Sequence, residues 1–234
     1  MREFFEQAMR QLAAFYGLDD TERTCLETAS DTITGRFCAC CRGLSNKYYR
    51  HPELYSPLHV GQYTLFLYYA ANTLFRTDPT DSEALCSKIY GLMKVVSGCD
   101  VFYQVSLPEV VMVEHPVGTV LGRAQYGNRL AVWQGVTVGG NLASGGRGAE
   151  YPVFGDDVLL FSHAKVVGSC HVGSRVVISA NAYVKDMDIP DDSIVFGQGR
   201  NVVVKPLSET RQRELFEGVF SAWRSQPAEG KECT

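Results

Sequence analysis

The sequence predicts an α+β protein in three parts: a helical N-terminal domain over residues 1–99, a parallel β-helix over 100–205, and a C-terminal helix and tail over 206–234. Three observations carry this. Apolar residues recur at helical spacing up to Gly98, with Gly and Pro punctuating the runs. From Val111 to Gly199 the rhythm becomes six: Phe154, Leu160, Val166, Val172, Ile178 and Val184 are all apolar. Four residues after each of the first five sit the small or β-branched Val158, Ala164, Cys170, Val176 and Ala182. A period of six fits neither a helix nor an exposed strand; it marks short strands coiled into a prism, each coil burying the next. Finally, Pro206 ends the strand texture, and Ser208 can cap a helix whose apolar side is Phe216, Val219, Phe220 and Trp223.

In chain order, residues 2 to about 17 place Phe4, Phe5, Met9, Leu12, Ala13 and Tyr16 on one helical face, and Gly17 breaks it. Asp20 is a plausible N-cap for a second helix presenting Leu26, Ala29, Ile33, Phe37 and Cys40 and stopping near Gly43. The stretch from Arg50 to Leu58 is a proline-punctuated connection. A third helix is expected from about His59 to Arg76, and a fourth from Asp81 to Gly98. In the prism, the register also appears upstream as Val120/Ala124, Tyr126/Leu130 and Val132/Val136, continuing to Val138. The sixteen residues from Val138 to Phe154 break the rhythm, so a loop leaves the prism over Asn141 to Pro152. The C-terminal helix could cover the open end, and the tail from Ser225 reads as frayed.

Composition narrows the function classes. A net charge of −4 and a sequence pI near 5.7, with no basic stripe, argue against a nucleic-acid partner. Val60 to Phe75 carries no charge, but it is short and contains Gln62, Thr64, Asn72 and Thr73, so a buried helix is expected there rather than a membrane span. The N-terminus has acids where a signal peptide has a basic region, and eight cysteines then imply free thiols in a reducing compartment, the cytoplasm. Cys38-Ala39-Cys40-Cys41 lacks the paired ligands of a zinc site and reads as small buried side chains.

Among the five histidines, His115 stands out at the start of the prism, in Val113-Glu114-His115-Pro116-Val117-Gly118. A neutral imidazole suits removal of a hydroxyl proton, given a carboxylate to orient it. Asp100, Glu109 and Glu114 are near in sequence, and the fifteen-residue spacing predicts Asp100 beneath His115, about one coil away.

These residues resemble the serine acetyltransferases, within the hexapeptide-repeat acyltransferases. The resemblance rests on Asp100, then Glu114-His115, then Gln134-Gly135-Val136-Thr137-Val138-Gly139-Gly140, with Arg50-x-Pro52 and Tyr55-Ser56-x-Leu58 upstream, and covers about residues 48–199. It implies a left-handed β-helix, assembly as a homotrimer or a dimer of trimers, acetyl-CoA as co-substrate, and no metal. It also implies that His115 is the general base supported by Asp100 and Glu114, and that amides near Gly139 and Gly140 face the oxyanion. Ser162 and Ala180, one coil apart, match small positions facing the pantetheine arm.

Departures concentrate on the acceptor. Where the family has Arg-His-Pro for the amino-acid carboxylate, this chain has Glu150-Tyr151-Pro152, and where it has Arg-Asp-Pro, this chain has Arg50-His51-Pro52. Arg147, in a longer loop, could compensate; Gly197-Gln198-Gly199-Arg200 also departs from the family at the CoA end. L-serine is the default small-molecule acceptor, and a sugar hydroxyl of a surface polysaccharide or its precursor is the alternative, with His51, Glu150 and Tyr151 in the pocket. A zinc lyase resembling γ-type carbonic anhydrases needs three converging histidines, which His115, His163 and His171 do not supply, since the last two are eight apart. A non-enzymatic scaffold is the third class considered.

Overall fold

The computed structural model describes residues 1–142, 149–221 and 223. The N-terminal domain comprises α1 (Arg2–Tyr16), α2 (Asp20–Thr28), α3 (Ser30–Arg42), the short α4 (Lys47–Arg50), α5 (Val60–Thr77) and α6 (Glu83–Ser97). The single second helix expected from sequence is two, broken at Ala29, and its cap is Asp19 rather than Asp20. The Asp19 side chain accepts from Glu22 N–H while Glu22 reaches back to the Asp19 amide, a reciprocal cap. The fourth helix begins at Glu83, two residues later than Asp81, and Gly98 closes it in the left-handed conformation (φ 65°).

Helix α5 is the axis of this domain. Every residue from Gly61 to Leu74 is buried, because α1, α2, α3, α6 and the first strand of the prism surround it. Its two carboxamide side chains are both hydrogen-bonded. Gln62 accepts from Ser56 N–H and donates to Tyr48 O, while Asn72 donates to Tyr103 O and accepts from Arg36. No helix among the described residues is long and apolar enough to cross a membrane.

The prism coils through β1 (Val111–Val113), β2 (Val120–Leu121), β3 (Leu130–Val132), β4 (Thr137–Gly139), the outlying hairpin strands β5 (Asn141–Leu142) and β6 (Ala149–Glu150), then β7 (Val153–Phe154). It continues through β8 (Val158–Leu160), β9 (Lys165–Val167), β10 (His171–Val172), β11 (Val176–Ile178), β12 (Tyr183–Lys185), β13 (Ser193–Phe196) and β14 (Val203–Pro206). One face stacks β1-β3-β8-β11-β13 in parallel, the second stacks β2-β4-β9-β12, and the third is β7-β10 with the bridges Gln125↔Val153 and Val172↔Ile189. All eleven residues that the six-residue rhythm marks from Phe154 to Val184 are buried. The upstream extension slips at one place: Leu121, not Val120, points inward, because Leu121 stands opposite Val138 and Val120 opposite Thr137.

Left-handed residues turn the corner between the third and first faces, and there the charges alternate up the prism: Arg129, Asp157, Arg175 and Asp192 (φ 60°, 60°, 57° and 56°). Each arginine forks onto the aspartate of the next coil, Arg129 on Asp157 and Arg175 on Asp192. The exposed sheet edge at the last coil is covered by β14, which runs antiparallel to β13. The final helix, α7 (Glu209–Val219), is capped by Ser208 as expected, but it does more than cover the end. Gln212 ties its start to Asp192, while Ser45 N–H donates to Val219 O (2.8 Å) and Ser221 N–H to Gly43 O (2.9 Å). It therefore runs back along the prism to the helical domain.

The charge ladder predicts that Asp157→Ala, which strands the half-buried Arg129, lowers the unfolding free energy by about 2–3 kcal/mol in urea denaturation. An exposed acid such as Asp188 should cost well under half of that when replaced in the same way.

Candidate active site

His115 owes its position to the length of one corner. Between the first and second faces the later coils turn in four residues (133–136, 161–164, 179–182), but the first coil uses six (114–119). The later corners each place a left-handed residue at Gly135, His163 or Asn181; the first has Gly118 in that role and a second one, His115 itself (φ 49°). The extra length pushes the imidazole outward, leaving its side chain 72% exposed with Nε2 3.9 Å from Glu114 Oε1.

The base of this corner is polar. Glu114 Oε2, Tyr49 OH and Gln134 Oε1 are each buried without a hydrogen-bond partner. Burial first, and then the charge of Glu114, push the Tyr49 phenol far up, so it stays protonated. Helix α5 reaches this spot through Gly61, where a Cβ would stand 2.6 Å from Val113 O and 2.5 Å from Tyr49 OH. Gln134 stacks in the next coil, with Gly135 N–H donating to Val117 O. Above it the column continues through Ser162 and the exposed Ala180, since His163 N–H donates to Gln134 O and Asn181 N–H to Ser162 O. Gln134, Ser162 and Ala180 thus stack above Val117, two residues along the corner from His115.

A second group lines the outer side of the second face. A cleft of about 610 Å3 is bounded by Asp100, Phe102, Gln104, Arg123 and Tyr151, among others. The fifteen-residue spacing predicts Asp100 beneath His115; the chain instead bridges Asp100 with Val120, because the longer corner carries His115 away from the regular stack. The Asp100 carboxylate accepts from Tyr90 OH (2.5 Å) and Lys94 Nζ (2.8 Å). Burial works to raise this carboxyl, but the bonds from Lys94 and Tyr90 outweigh it and hold it below its usual value. Gly140 lies under the Tyr151 ring, where a Cβ would meet Cε1 at 2.6 Å, and Gly139 faces open space. Glu150 is exposed, paired with Asn141 across the hairpin. His51 is exposed after α4, with Nδ1 3.3 Å from Glu53. Arg147 lies outside the described residues.

Within one chain the site residues therefore form two groups, one around His115 and one around the Asp100–Tyr151 cleft. The sequence reading missed Tyr90 and Lys94, although a cation in the last turn of a helix six residues before an aspartate was a usable signal. Arg123 was missed too, because nothing in the repeat singles it out. His163 rests its ring on Gly135 at its corner, and His171, on β10, pairs with Asp188 (2.9 Å). Among the described residues no three metal-ligating side chains gather. Cys40 donates to Val111 O (3.1 Å), and burial raises its thiol, so the cysteine cluster is a packed edge of α3.

No family model matches the chain. It is similar to the serine acetyltransferases of Bacillus pumilus (32% identical over 126 residues, 50% of this chain and 57% of that one) and Bacillus subtilis (32% over 133, 53% and 60%). The chain thus spans less than two thirds of these curated relatives. Among solved structures, it resembles a serine acetyltransferase of Neisseria gonorrhoeae (TM-score 0.69, 23% identical, 90% of this chain and 81% of that one). It also resembles the same organism's serine acetyltransferase in complex with serine (TM-score 0.55, 26% identical, 87% and 73%). A third is a serine acetyltransferase in complex with CoA (TM-score 0.63, 18% identical, 86% and 83%), which speaks for the fold alone.

The Asp100 contacts set a pH window. A carboxyl depressed in the fold contributes stability that is complete above its unfolded value, about 3.9, and is lost as pH falls through the lower folded value. The stability gap between wild type and Asp100→Asn, read by urea denaturation, should be flat from pH 5 to 8 and shrink below pH 4.

Proposed function

We propose that this chain is an acetyl-CoA-dependent O-acetyltransferase of the serine acetyltransferase type, with L-serine as acceptor. The observation that carries the reading is the lengthened first corner, which projects His115 near the column of Gln134, Ser162 and Ala180. In this reading His115 accepts the proton of the acceptor hydroxyl as its oxygen bonds the thioester carbonyl carbon. The proton then passes to the departing sulfur as the carbon–sulfur bond breaks. Glu114 orients the imidazole from its own coil, and Gly139 and Gly140 offer amides to the oxyanion. Ser162 and Ala180 leave room for the pantetheine arm of acetyl-CoA.

The two groups of site residues meet in this proposal through a second copy, whose cleft faces His115 across a groove. That requires a homotrimer or a dimer of trimers, a ring of head-to-tail contacts. Light scattering should give at least three times the 25.9 kDa chain mass. With seven free cysteines among the described residues, the protein fits a reducing compartment, the cytoplasm.

Glu150 stands where the resemblance calls for a carboxylate-binding arginine, and a glutamate repels that group. Of the described residues lining the cleft, Arg123 is the one cation, and it takes over the clamp in this reading. A sugar acceptor is the second reading, favoured by the Tyr151 ring at the cleft wall and the exposed Glu150 carboxylate, both suited to hydroxyl-rich ligands.

Thiol release from acetyl-CoA, with L-serine and then a panel of sugars, tests this. With serine, His115→Ala should lose about 10²–10⁴-fold in kcat, and Arg123→Gln should raise KM for serine with little change in kcat. Turnover only with a sugar would reject serine as acceptor, and full activity in His115→Ala would reject the base.

A further inference from the structure

Far from the prism edge, helices α3 and α5 meet along a shallow cleft of about 270 Å3 lined by Thr32, Arg36, Thr73, Arg76 and Thr77. Thr32 and Arg36 are one turn apart on α3; Thr73, Arg76 and Thr77 occupy one turn of α5. Arg36 is half-buried and held rigidly: its guanidinium donates to Thr73 Oγ1 (2.6 Å) and Asn72 Oδ1 (2.7 Å) and lies over the Tyr69 ring, 5.0 Å from its centroid. Those two bonds leave about three of its five N–H donors for another acceptor.

No carboxylate of the described residues lines this cleft, while Asp78 and Asp81 line the adjoining one that shares Thr32, Thr73 and Thr77. Among the described residues no carboxylate is in ion-pair distance of Arg36 or Arg76. Asp78, which follows Thr77, turns its carboxylate to the amides of Thr80 and Asp81. Burial foremost, and the neighbouring charge of Arg76, pull the Arg36 guanidinium down. Two like charges brought together, one of them partly desolvated, are costly without a counter-charge.

We infer that this cleft is a binding site for a tetrahedral oxyanion, phosphate or sulfate, clamped between the Arg36 and Arg76 guanidinium groups with the Thr32 and Thr73 hydroxyls beside it, the Thr77 hydroxyl being given to Thr73 O. The guanidinium groups come from two different helices, so their donors converge from two directions, which suits a tetrahedral ligand better than a planar carboxylate. Arg36 is fixed before the ligand arrives, so little side-chain entropy is lost there. The exposed Arg76 closes the site from its rim. This inference stands on the helical domain alone and is independent of the acetyltransferase reading.

The test is thermal unfolding of the full chain in sodium phosphate and in sodium sulfate, each against sodium chloride at equal ionic strength. Wild type should gain on the order of 5 °C in Tm at saturating phosphate, with the chain's mass by light scattering unchanged. Arg76→Gln, which removes an exposed side chain, should keep the chloride Tm and lose the phosphate gain; Arg76→Lys should restore part of it. No gain over chloride, or an equal gain in Arg76→Gln, would overturn the site. A gain that appears only with an increase in mass would also overturn it, in favour of a contact between copies.

Discussion

The open edge of the first coil is the constraint on which the rest depends. A stack of parallel strands leaves unpaired N–H and C=O groups at each end, and neither end is stable if left bare. At the last coil, β14 covers the edge by reversing direction. At the first, the helical domain does the work: the Cys40 thiol donates to Val111 O, the Tyr68 hydroxyl donates to Val105 O and accepts from Leu107 N–H, and Gly61 lets α5 press against Val113 O. The helices are thus the lid of the prism.

That lid also explains where the residues of the proposed site sit. A regular corner of four residues would carry the chain from β1 to β2 flush with the later coils. Contact with α5 and Tyr49 at the first corner is accompanied by two further residues, and these hold His115 out of the stack. In the same way α6 supplies Tyr90 and Lys94 to the carboxylate of Asp100. The reactive groups of the proposed site are placed where the repeat is interrupted by its covering domain, and the regular coils above supply a straight wall beside them.

This division decides what could be read from sequence. The six-residue rhythm is a packing requirement repeated in every coil, so Phe154 through Val184 were legible one by one. The rhythm loses authority at the first coil, where tertiary contact with the helices sets the register; there Val120 turns outward and Leu121 replaces it. Asp100 illustrates the same limit. Its distance from His115 in sequence resembles one coil, yet its side-chain partners Tyr90 and Lys94 lie on α6, outside the repeat. The break at Ala29 was hidden for another reason: α3 starts after Ala29 without a side-chain cap, so no capping residue marks the junction. Residues of the proposed acceptor pocket lie on loops, which carry no periodicity to read.

The return of α7 to Gly43 and Ser45 changes how such a stack comes apart. An ordinary solenoid frays from its ends, each terminal coil peeling away at a cost set by one neighbour. Here the last coil is fastened through Gln212 to a helix whose other end is bonded to the helical domain, by contacts 172 to 179 residues apart along the chain. Peeling the terminal coil means opening that clasp as well, so the linear array behaves as a closed loop that opens cooperatively. Such distant contacts form late in folding, which makes the clasp the step that locks the coils in place.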